Sequence, residues 1–352
     1  MEANPLLGVI LHAVGGLAAG SFYLPFKKVR GWSWETYWLV GGVFSWIFAP
    51  LIAAYFLIPD LFPILTHSPP SALLRTYAFG VLWGIGGLTF GLTMRYLGLS
   101  LGYALALGLC ATFGTLLPPL AEGALPDLLA KSSGLAILLG VGVCLLGIGL
   151  SGWAGMLKES ELSETEKVAT IAEYHFMKGV WVAIFCGIMS ACMAFAFQAG
   201  KPIAERAVAS GAPDLWQNTP VLVVVLLGGF TTNLIGCALL HFRNGSSGEY
   251  FHTENTPYLA NYLFSAAAGI TWYLQFFFYG MGTTRMGKYD FSSWTLHMAF
   301  IIIFSNFWGI WLREWSGTSA KARNLIGGGI AILIVSTVII GLGNYLETGV
   351  NP

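Results

Sequence analysis

The sequence has little charge. Asp, Glu, Lys and Arg together make up only 10% of its 352 residues, whereas an average soluble domain has roughly 25%. Hydrophobic residues make up 56%. So few charges cannot cover a surface in water, but a lipid bilayer solvates apolar side chains directly. We therefore predict a membrane protein.

Net charge and metal-binding patterns are also missing. Lys plus Arg and Asp plus Glu balance at 17 each, so no net charge attracts nucleic acid or acidic substrates. The five cysteines lie inside apolar runs, without CxxC or Cys/His spacing, and we interpret them as small packing residues. We predict no metal, no cofactor and no nucleic-acid partner.

Long apolar runs are abundant. Spanning the hydrocarbon core takes about 20 apolar residues, and lipid offers no partner for free backbone groups, so such runs form helices. Ten runs are long enough, at residues 6–26, 37–58, 76–97, 101–120, 135–156, 179–199, 219–241, 260–282, 291–312 and 324–345. We predict an all-α membrane protein with about ten transmembrane helices.

One polar stretch divides these runs into two sets of five. Residues 158–178 are the most polar in the chain and are predicted to be a connector. An odd number of spans per half gives the two halves opposite orientations in the membrane. We predict two inverted five-helix repeats, residues 1–157 and 179–352.

The eighth run carries candidate substrate-binding residues. Trp272, Gln275 and Tyr279 have the spacing of one helical face. Gln275 lies about 15 residues into its run, roughly 22 Å by helical rise, and Asn233 lies similarly deep in the seventh run. An aromatic ring packs against the C–H face of a sugar, while an amide bonds to its hydroxyls. Aromatic packing between helices fits the same pattern.

The ninth run carries candidate proton-coupling residues. Asp290, Trp294 and His297 have the spacing of one helical face. Histidine can change charge near neutral pH, and a neighbouring carboxylate favours the charged form. We predict proton coupling at His297 and Asp290, with Glu35 as the alternative, and a place for Trp294 in the substrate site. A structural histidine bonded to a backbone carbonyl also fits.

The first connector mixes bases with tryptophans. Lys27 and Lys28 precede Glu35, and Glu35 and Arg95 are expected near the same membrane surface. This arrangement favours a gate or an ion pair that includes Arg95, Lys27 and Lys28. Interfacial anchoring explains the same composition.

Several long and uncommon strings stand out in the sequence: FYLPFKKVRGWSWETYW (22–38), FGVLWGIGGLTFGLTMRYLGLSLG (79–102), KP (201–202), WYLQFFFYGMG (272–282), YDFSSWTLHM (289–298) and REW (313–315). With these strings the sequence resembles a known family, the bacterial L-rhamnose–proton symporters of the drug/metabolite transporter superfamily. The resemblance runs end to end. It implies a ten-helix carrier that imports L-rhamnose with a proton.

The expected function is therefore secondary active transport. We expect import of L-rhamnose, or a closely related deoxysugar, with a proton by alternating access across the bacterial inner membrane, in which the chain is a multi-pass protein. Its partners would be the sugar, the proton and the lipid bilayer. A metabolite exporter or exchanger of the same superfamily is the alternative. A membrane-embedded sensor or enzyme is a more distant one, since no extended polar segment exists to signal or catalyse in water.

Overall fold

The computed structural model describes residues 3–97, 99–121, 123–161, 175–251 and 256–347. These residues form helices and connecting loops and include no strand, so the all-α prediction is confirmed for the described part of the chain. The first nine α-helices are α1 (Pro5–Ser21), α2 (Tyr23–Phe26), α3 (Trp34–Val43), α4 (Ala49–Leu57), α5 (Leu61–His67), α6 (Pro70–Leu97), α7 (Leu99–Ala121), α8 (Leu125–Ala130) and α9 (Ser132–Ser160).

The described residues of the second half form six more α-helices. They are α10 (Phe176–Ala199), α11 (Lys201–Ala209), α12 (Thr219–Asn244), α13 (Tyr258–Thr283), α14 (Ser293–Trp311) and α15 (Ala320–Glu347). A π-helical turn, Phe44–Phe48, joins α3 to α4. Three 3₁₀ segments, Asp214–Trp216, Ser246–Tyr250 and Gly287–Ser292, lie between the longer helices.

Eight helical segments of the described chain are long and apolar enough to cross a membrane. They are Pro5–Phe26, Trp34–Leu57, Pro70–Thr93, Ser132–Ser160, Met177–Ala209, Asp214–Asn244, Gly287–Trp311 and Ala320–Glu347. A shorter apolar helix, Leu105–Ala121, lies among them. The chain is therefore a multi-pass membrane protein.

Both ends of the described chain lie at one end of the bundle, which we call the terminal face. There the backbone N–H of Asn4 donates to the carbonyl of Arg285 at 3.0 Å. Lys131 and Glu347 form an ion pair at 2.9 Å. These contacts place the chain ends beside the α7–α9 and α13–α14 connections.

The other end of the bundle, the opposite face, collects the remaining connections. The Glu161 carboxylate, just after α9, accepts a hydrogen bond from the backbone N–H of Ser319 at 2.7 Å. Lys27, just after α2, pairs with Glu314 at 2.9 Å. Successive long helices therefore run between the same two faces.

Helices of the two halves interlock. α1 packs against α13 and α14, whereas α6 packs against α10 and α12. Glycines allow the close approach, because a Cβ at Gly16 would overlap Phe300 and one at Gly80 would overlap the Val225 backbone. α9 and α15 complete the bundle by packing against each other. Neither half forms a separate core.

The predicted polar connector falls mainly in a segment outside the described residues. α9 continues to Ser160 and α10 begins at Phe176, while residues 162–174 lie outside the described ranges. The division into residues 1–157, 158–178 and 179–352 stays a prediction.

Candidate functional site

A cavity of about 380 Å³ enters the bundle from the terminal face. Asp127 and Lys288 at its rim are exposed, whereas Phe197 and Tyr279 at its inner end are buried. Its walls come from α7, α8, α10, α11, α13 and the connecting segments. The lining residues are Gly114, Pro118, Pro119, Ala124, Asp127, Leu128, Ala194, Phe197, Gln198, Lys201, Asn218, Tyr279, Thr283 and the 287–291 segment. The volume lies in the range of small-molecule sites.

Backbone irregularities surround this cavity. Pro118 and Pro119 remove two N–H donors from the end of α7. Across the cavity, Gly287 has a left-handed φ of 68°, and Tyr289 is non-helical with φ −101° and ψ 39°. Regular helix resumes only at Ser293. The ends of α7 and α14 therefore leave space between them.

Asp290 lies at the cavity wall, in the 3₁₀ segment that precedes α14. The sequence spacing placed Asp290 on one helical face with Trp294 and His297. In the structure α14, which carries Trp294 and His297, begins at Ser293 directly after this segment, and the shared face stays a prediction. The Asp290 carboxylate lies 3.6 Å from the ammonium of Lys201, the first residue of α11. Both side chains are about half exposed, so solvent screens the pair.

An amide and a phenol lie deeper in the cavity. The Asn218 side chain donates to the carbonyl of Gly280 at 2.8 Å and to the hydroxyl of Thr283 at 3.0 Å. These bonds fix the amide against the last turn of α13. Tyr279 lies one turn further in and is buried against Phe197, with ring centroids 5.0 Å apart. The cavity thus offers both polar and aromatic surface.

Behind Tyr279 lies a cluster of buried rings. Its ring centroid is 5.6 Å from that of Trp294, 5.2 Å from His297 and 5.4 Å from His12. Trp294 donates from Nε1 to the carbonyl of Cys110 at 3.0 Å. A Cβ at Gly114 would overlap the Trp294 indole, so glycine at this position in α7 makes room for the indole.

A second aromatic cluster lies nearer the opposite face. We call Phe22, Phe26, Trp38, Trp46 and Trp272 the aromatic plug. The ring centroids of Trp272 and Phe22 are 4.2 Å apart, and those of Trp272 and Trp38 are 6.1 Å apart. The void among these rings is about 10 Å³, space for one water at most. The bundle is closed at this level.

Asn233 and Gln275 lie in the buried core. The Asn233 amide accepts from Trp38 Nε1 at 3.1 Å and donates to the Gly229 carbonyl at 2.8 Å. Gln275 is 3% exposed, and its Nε2 makes no hydrogen bond to any described residue. Gln275 lies on α13 between Trp272 of the plug and Tyr279 of the cavity. Its Nε2 is therefore an unsatisfied donor between the closed and open parts of the bundle.

The predicted gate residues have different surroundings at the opposite face. Lys27 forms the ion pair with Glu314, with side chains 54% and 46% exposed. Lys28 is exposed. The Arg95 side chain lies outside the described part of the chain, so its predicted pairing with Glu35 stays a prediction.

Glu35 is buried at 3% exposure, and its carboxylate accepts hydrogen bonds from Asn244 at 2.9 Å and Ser246 at 2.6 Å. Nearby, one oxygen of Glu249 accepts from the backbone and hydroxyl of Ser33 and from the hydroxyl of Thr36, each at 2.7 Å. Burial acts to raise the Glu249 pKa, but these hydrogen bonds outweigh it and hold the pKa below its ordinary value. The two carboxylates fasten α3 to the α12–α13 connection.

The structure brings part of the predicted site together. Tyr279, Trp294 and His297 form one cluster beside the cavity, while Trp272 and Asn233 belong to the plug region. No sequence pattern pointed to four residues that the structure places at the cavity or beside it: His12, Asn218, Lys201 and Gln198. A histidine within the first apolar run was the available signal for His12.

A bundle of apolar helices with a polar cavity reached from one face and closed towards the other has the architecture of a membrane carrier. Comparison with known proteins shows the family to which this chain belongs. Residues 1–345 match the family L-rhamnose-proton symport protein (RhaT), and the chain belongs to this family. The predicted resemblance is confirmed. The family is one of transporters, so the prediction that the chain is not an enzyme is also confirmed.

Curated relatives cover nearly the whole chain. It is 39% identical over 341 residues to the L-rhamnose-proton symporter of Yersinia pestis (strain Pestoides F), covering 96% of this chain and 98% of that protein. It is 39% identical over 340 residues to the protein of the same name from Cronobacter sakazakii, covering 96% and 97%. A crystal structure at 14% identity covers 97% of this chain and 98% of that one with a TM-score of 0.55, a likeness of fold alone. The chain is a multi-pass bacterial inner-membrane protein.

Proposed function

We propose that this protein imports L-rhamnose, or a closely related deoxysugar, together with a proton by alternating access. The observation that carries the proposal is the cavity at the terminal face, which combines aromatic Tyr279 with the polar groups of Asn218, Gln198 and Lys201. Aromatic surface suits the C–H face of a sugar, and amide and ammonium groups suit its hydroxyls. The names of the relatives support the substrate and the coupling ion.

We further propose ten spans arranged as two inverted five-helix repeats. α7 and α13 would be the spans added to the eight long apolar segments. The pattern of helix contacts supports a two-fold relation. α1, the first helix of one half, packs on α13 and α14, and α10, the first helix of the other, packs on α6 and α7. Likewise α7 contacts α9, as α14 contacts α15.

In this arrangement the described conformation admits sugar from the terminal face. Tyr279 and Trp294 contact the sugar or shape its site, and the aromatic plug closes the path beyond. When the bundle opens at the opposite face, the plug separates, and Trp272, Gln275 and Asn233 become the exposed contacts. His297 binds the coupled proton, with Asp290 at the cavity wall as its relay. Glu35 is the alternative proton site.

The charged groups predicted as gate residues are proposed to change partners when the opposite face opens. Lys27 would release Glu314 when that face opens. Lys28 and Arg95 are proposed to act at the same surface. The hydrogen bonds of Glu35 to Asn244 and Ser246 connect the two proposed repeats there.

The substrate is tested by uptake of labelled L-rhamnose in cells that lack their own carrier. L-Fucose, L-lyxose, L-mannose and unrelated hexoses serve as competitors. We expect uptake to be inhibited by L-rhamnose and its nearest relatives. Sugar-dependent alkalinisation of a weakly buffered vesicle suspension supports symport, whereas uptake without it indicates an exchanger. Absence of any sugar uptake refutes the proposal.

The site is tested by Gln275→Ala. We expect the apparent affinity for sugar to fall about tenfold, the size of one lost buried hydrogen bond. Asn306→Ala is the matched control, because among the described residues the Asn306 amide bonds only the carbonyl of Ile302 on its own helix. Unchanged affinity in a normally expressed Gln275→Ala protein refutes the role of this amide.

A further inference from the structure

Two histidines from distant parts of the chain flank the same tyrosine ring. His12 of α1 and His297 of α14 are both fully buried. Their ring centroids lie 5.4 Å and 5.2 Å from that of Tyr279. None of their four ring nitrogens makes a hydrogen bond to any described residue. Both imidazoles therefore lie unbonded in the core beside the cavity.

Glycines let these rings approach. A Cβ at Gly282 would lie 2.7 Å from His12 Cε1, so the His12 ring rests on the α13 backbone. A Cβ at Gly15 would lie 3.5 Å from His297 Cε1. Gly15 follows His12 by three residues and shares its helical face. The contact between α1, α13 and α14 is thus shaped around the two imidazoles.

A buried histidine elsewhere in this protein has both ring nitrogens hydrogen-bonded. The His241 ring contacts the hydroxyl of Ser246 at 2.7 Å through Nδ1 and that of Tyr250 at 2.8 Å through Nε2. A buried polar group without a partner costs about 1–3 kcal/mol, and most buried polar groups are bonded. Four unbonded nitrogens at one place indicate groups that gain their partner at another step of the cycle.

We infer that His12 and His297 bind one coupled proton as a pair, with His12 on the first helix as a second proton-coupling residue. This rests on the proposed proton-coupled transport. The titratable groups facing the pair are Tyr279 on α13 and, around that tyrosine, Asp290 and Cys110. When α1 and α14 move together, the N–H of the protonated imidazole donates a hydrogen bond to the free nitrogen of the other imidazole.

A proton shared by His12 and His297 would couple sugar binding to proton binding. α1 belongs to the first proposed repeat and α14 to the second, so a shared proton links the two. Tyr279 lies between the pair and the cavity, and sugar against its ring shifts the same contacts. Each ligand then alters the affinity of the other by the same factor, as linkage requires.

The test separates proton coupling from sugar movement. His12→Gln, His297→Gln and the double variant are reconstituted in vesicles, and two rates are measured. Counterflow of L-rhamnose needs no net proton movement, whereas uphill uptake with alkalinisation does. We expect counterflow to persist in all three and the proton-to-sugar ratio to fall at least about tenfold, within ordinary coupling strengths. The double variant should be no worse than either single one.

His241→Gln is the matched control, and its proton-to-sugar ratio should equal that of the wild type. A wild-type ratio in His12→Gln overturns the pair. So does loss of counterflow and uptake together in a folded His12→Gln protein, which indicates a structural role. If the wild-type protein moves no proton with sugar, the proposed function fails instead.

A measurement on the unaltered protein covers the case in which the variants do not fold. The chain has six histidines, and ¹⁵N-histidine spectra are recorded over pH with and without L-rhamnose. We expect two ring signals to respond to sugar with a single shared midpoint. A response from one ring or from none overturns the inference.

Discussion

The carboxylate of Glu249 is predicted to hold the opposite face closed, whereas the ion pair of Lys27 with Glu314 contributes little. Glu249 lies in the 3₁₀ segment after α12 and bonds the start of α3. It therefore joins the two proposed repeats where they must part. Glu249→Gln and Lys27→Gln each remove one charge from the contacts of this face and form a matched pair.

The expected magnitudes follow from the contacts. Glutamine keeps an acceptor for the three 2.7 Å bonds from Ser33 and Thr36 but loses the charge. Bonds to a charged group contribute about 1.5–3 kcal/mol and neutral ones about 0.5–1.5 kcal/mol. Because Glu249 is partly exposed, we expect a total loss of about 2 kcal/mol, or roughly a 30-fold shift towards the open form. For the half-exposed Lys27 pair we expect less than about fivefold.

A cysteine placed inside the aromatic plug reports opening. Ser45 lines the plug void and is 1% exposed, so Ser45→Cys reacts with a water-soluble maleimide only when the plug separates. All five native cysteines are buried, and the protein without the reporter serves as the blank. Reaction rates are compared for Ser45→Cys alone and combined with each charge variant.

Either of two results would contradict the predicted difference between Glu249→Gln and Lys27→Gln. One is an equal acceleration by Lys27→Gln and Glu249→Gln, which would mean that exposed charge alone closes the face. The other is an unchanged rate in Glu249→Gln, which would mean that this contact survives opening.

Three further predictions concern stability and the cavity. The Glu249 pKa is lowered in the folded protein, so the carboxylate stabilises the fold fully above its unfolded pKa of about 4.3, and this stabilisation is lost as pH falls through the folded pKa. The Tm difference between wild type and Glu249→Gln should therefore shrink below about pH 4. A difference that stays constant with pH contradicts this. Gly114→Ala should displace the Trp294 indole and cost about 1–3 kcal/mol, read as a lower Tm and weaker sugar binding by calorimetry; unchanged values would show that the indole adapts freely. Asn218→Ala removes the donor to two acceptors at the end of α13 and should cost about 1–2 kcal/mol, with weaker sugar binding; binding at wild-type strength would place the sugar elsewhere.

Apolar run length predicted the helices well because lipid forces such runs to be helical. The run at residues 179–199 corresponds to α10 at Phe176–Ala199, and the run at 324–345 lies within α15 at Ala320–Glu347. Hydropathy does not reveal where a regular α-helix is interrupted. The π-helical turn at Phe44–Phe48 lies inside one continuous apolar run, so composition gives no sign of it.

The site was predictable only in part, because helical spacing describes one helix at a time. Spacing related Trp294 to His297, whose rings lie close together on α14. It gave no sign that Asp290 lies in a 3₁₀ segment, just after the left-handed Gly287 and the non-helical Tyr289. The proximity of His12 to Tyr279 depends on how α1 packs on α13, and no local pattern records that contact.

The packing of α1 also has a consequence for biosynthesis. α1 emerges from the ribosome before the other described helices, yet its main neighbours are α13 and α14. Residues 22–257 are made before α13 begins, which takes roughly 10–50 s at about 5–20 residues per second. During that interval the fully buried His12 lacks its final surroundings. α1 is thus made long before its neighbours and is among the last helices to be packed. Ribosomes stalled before α13 should yield a nascent chain in which α1 can still be crosslinked to the insertion machinery.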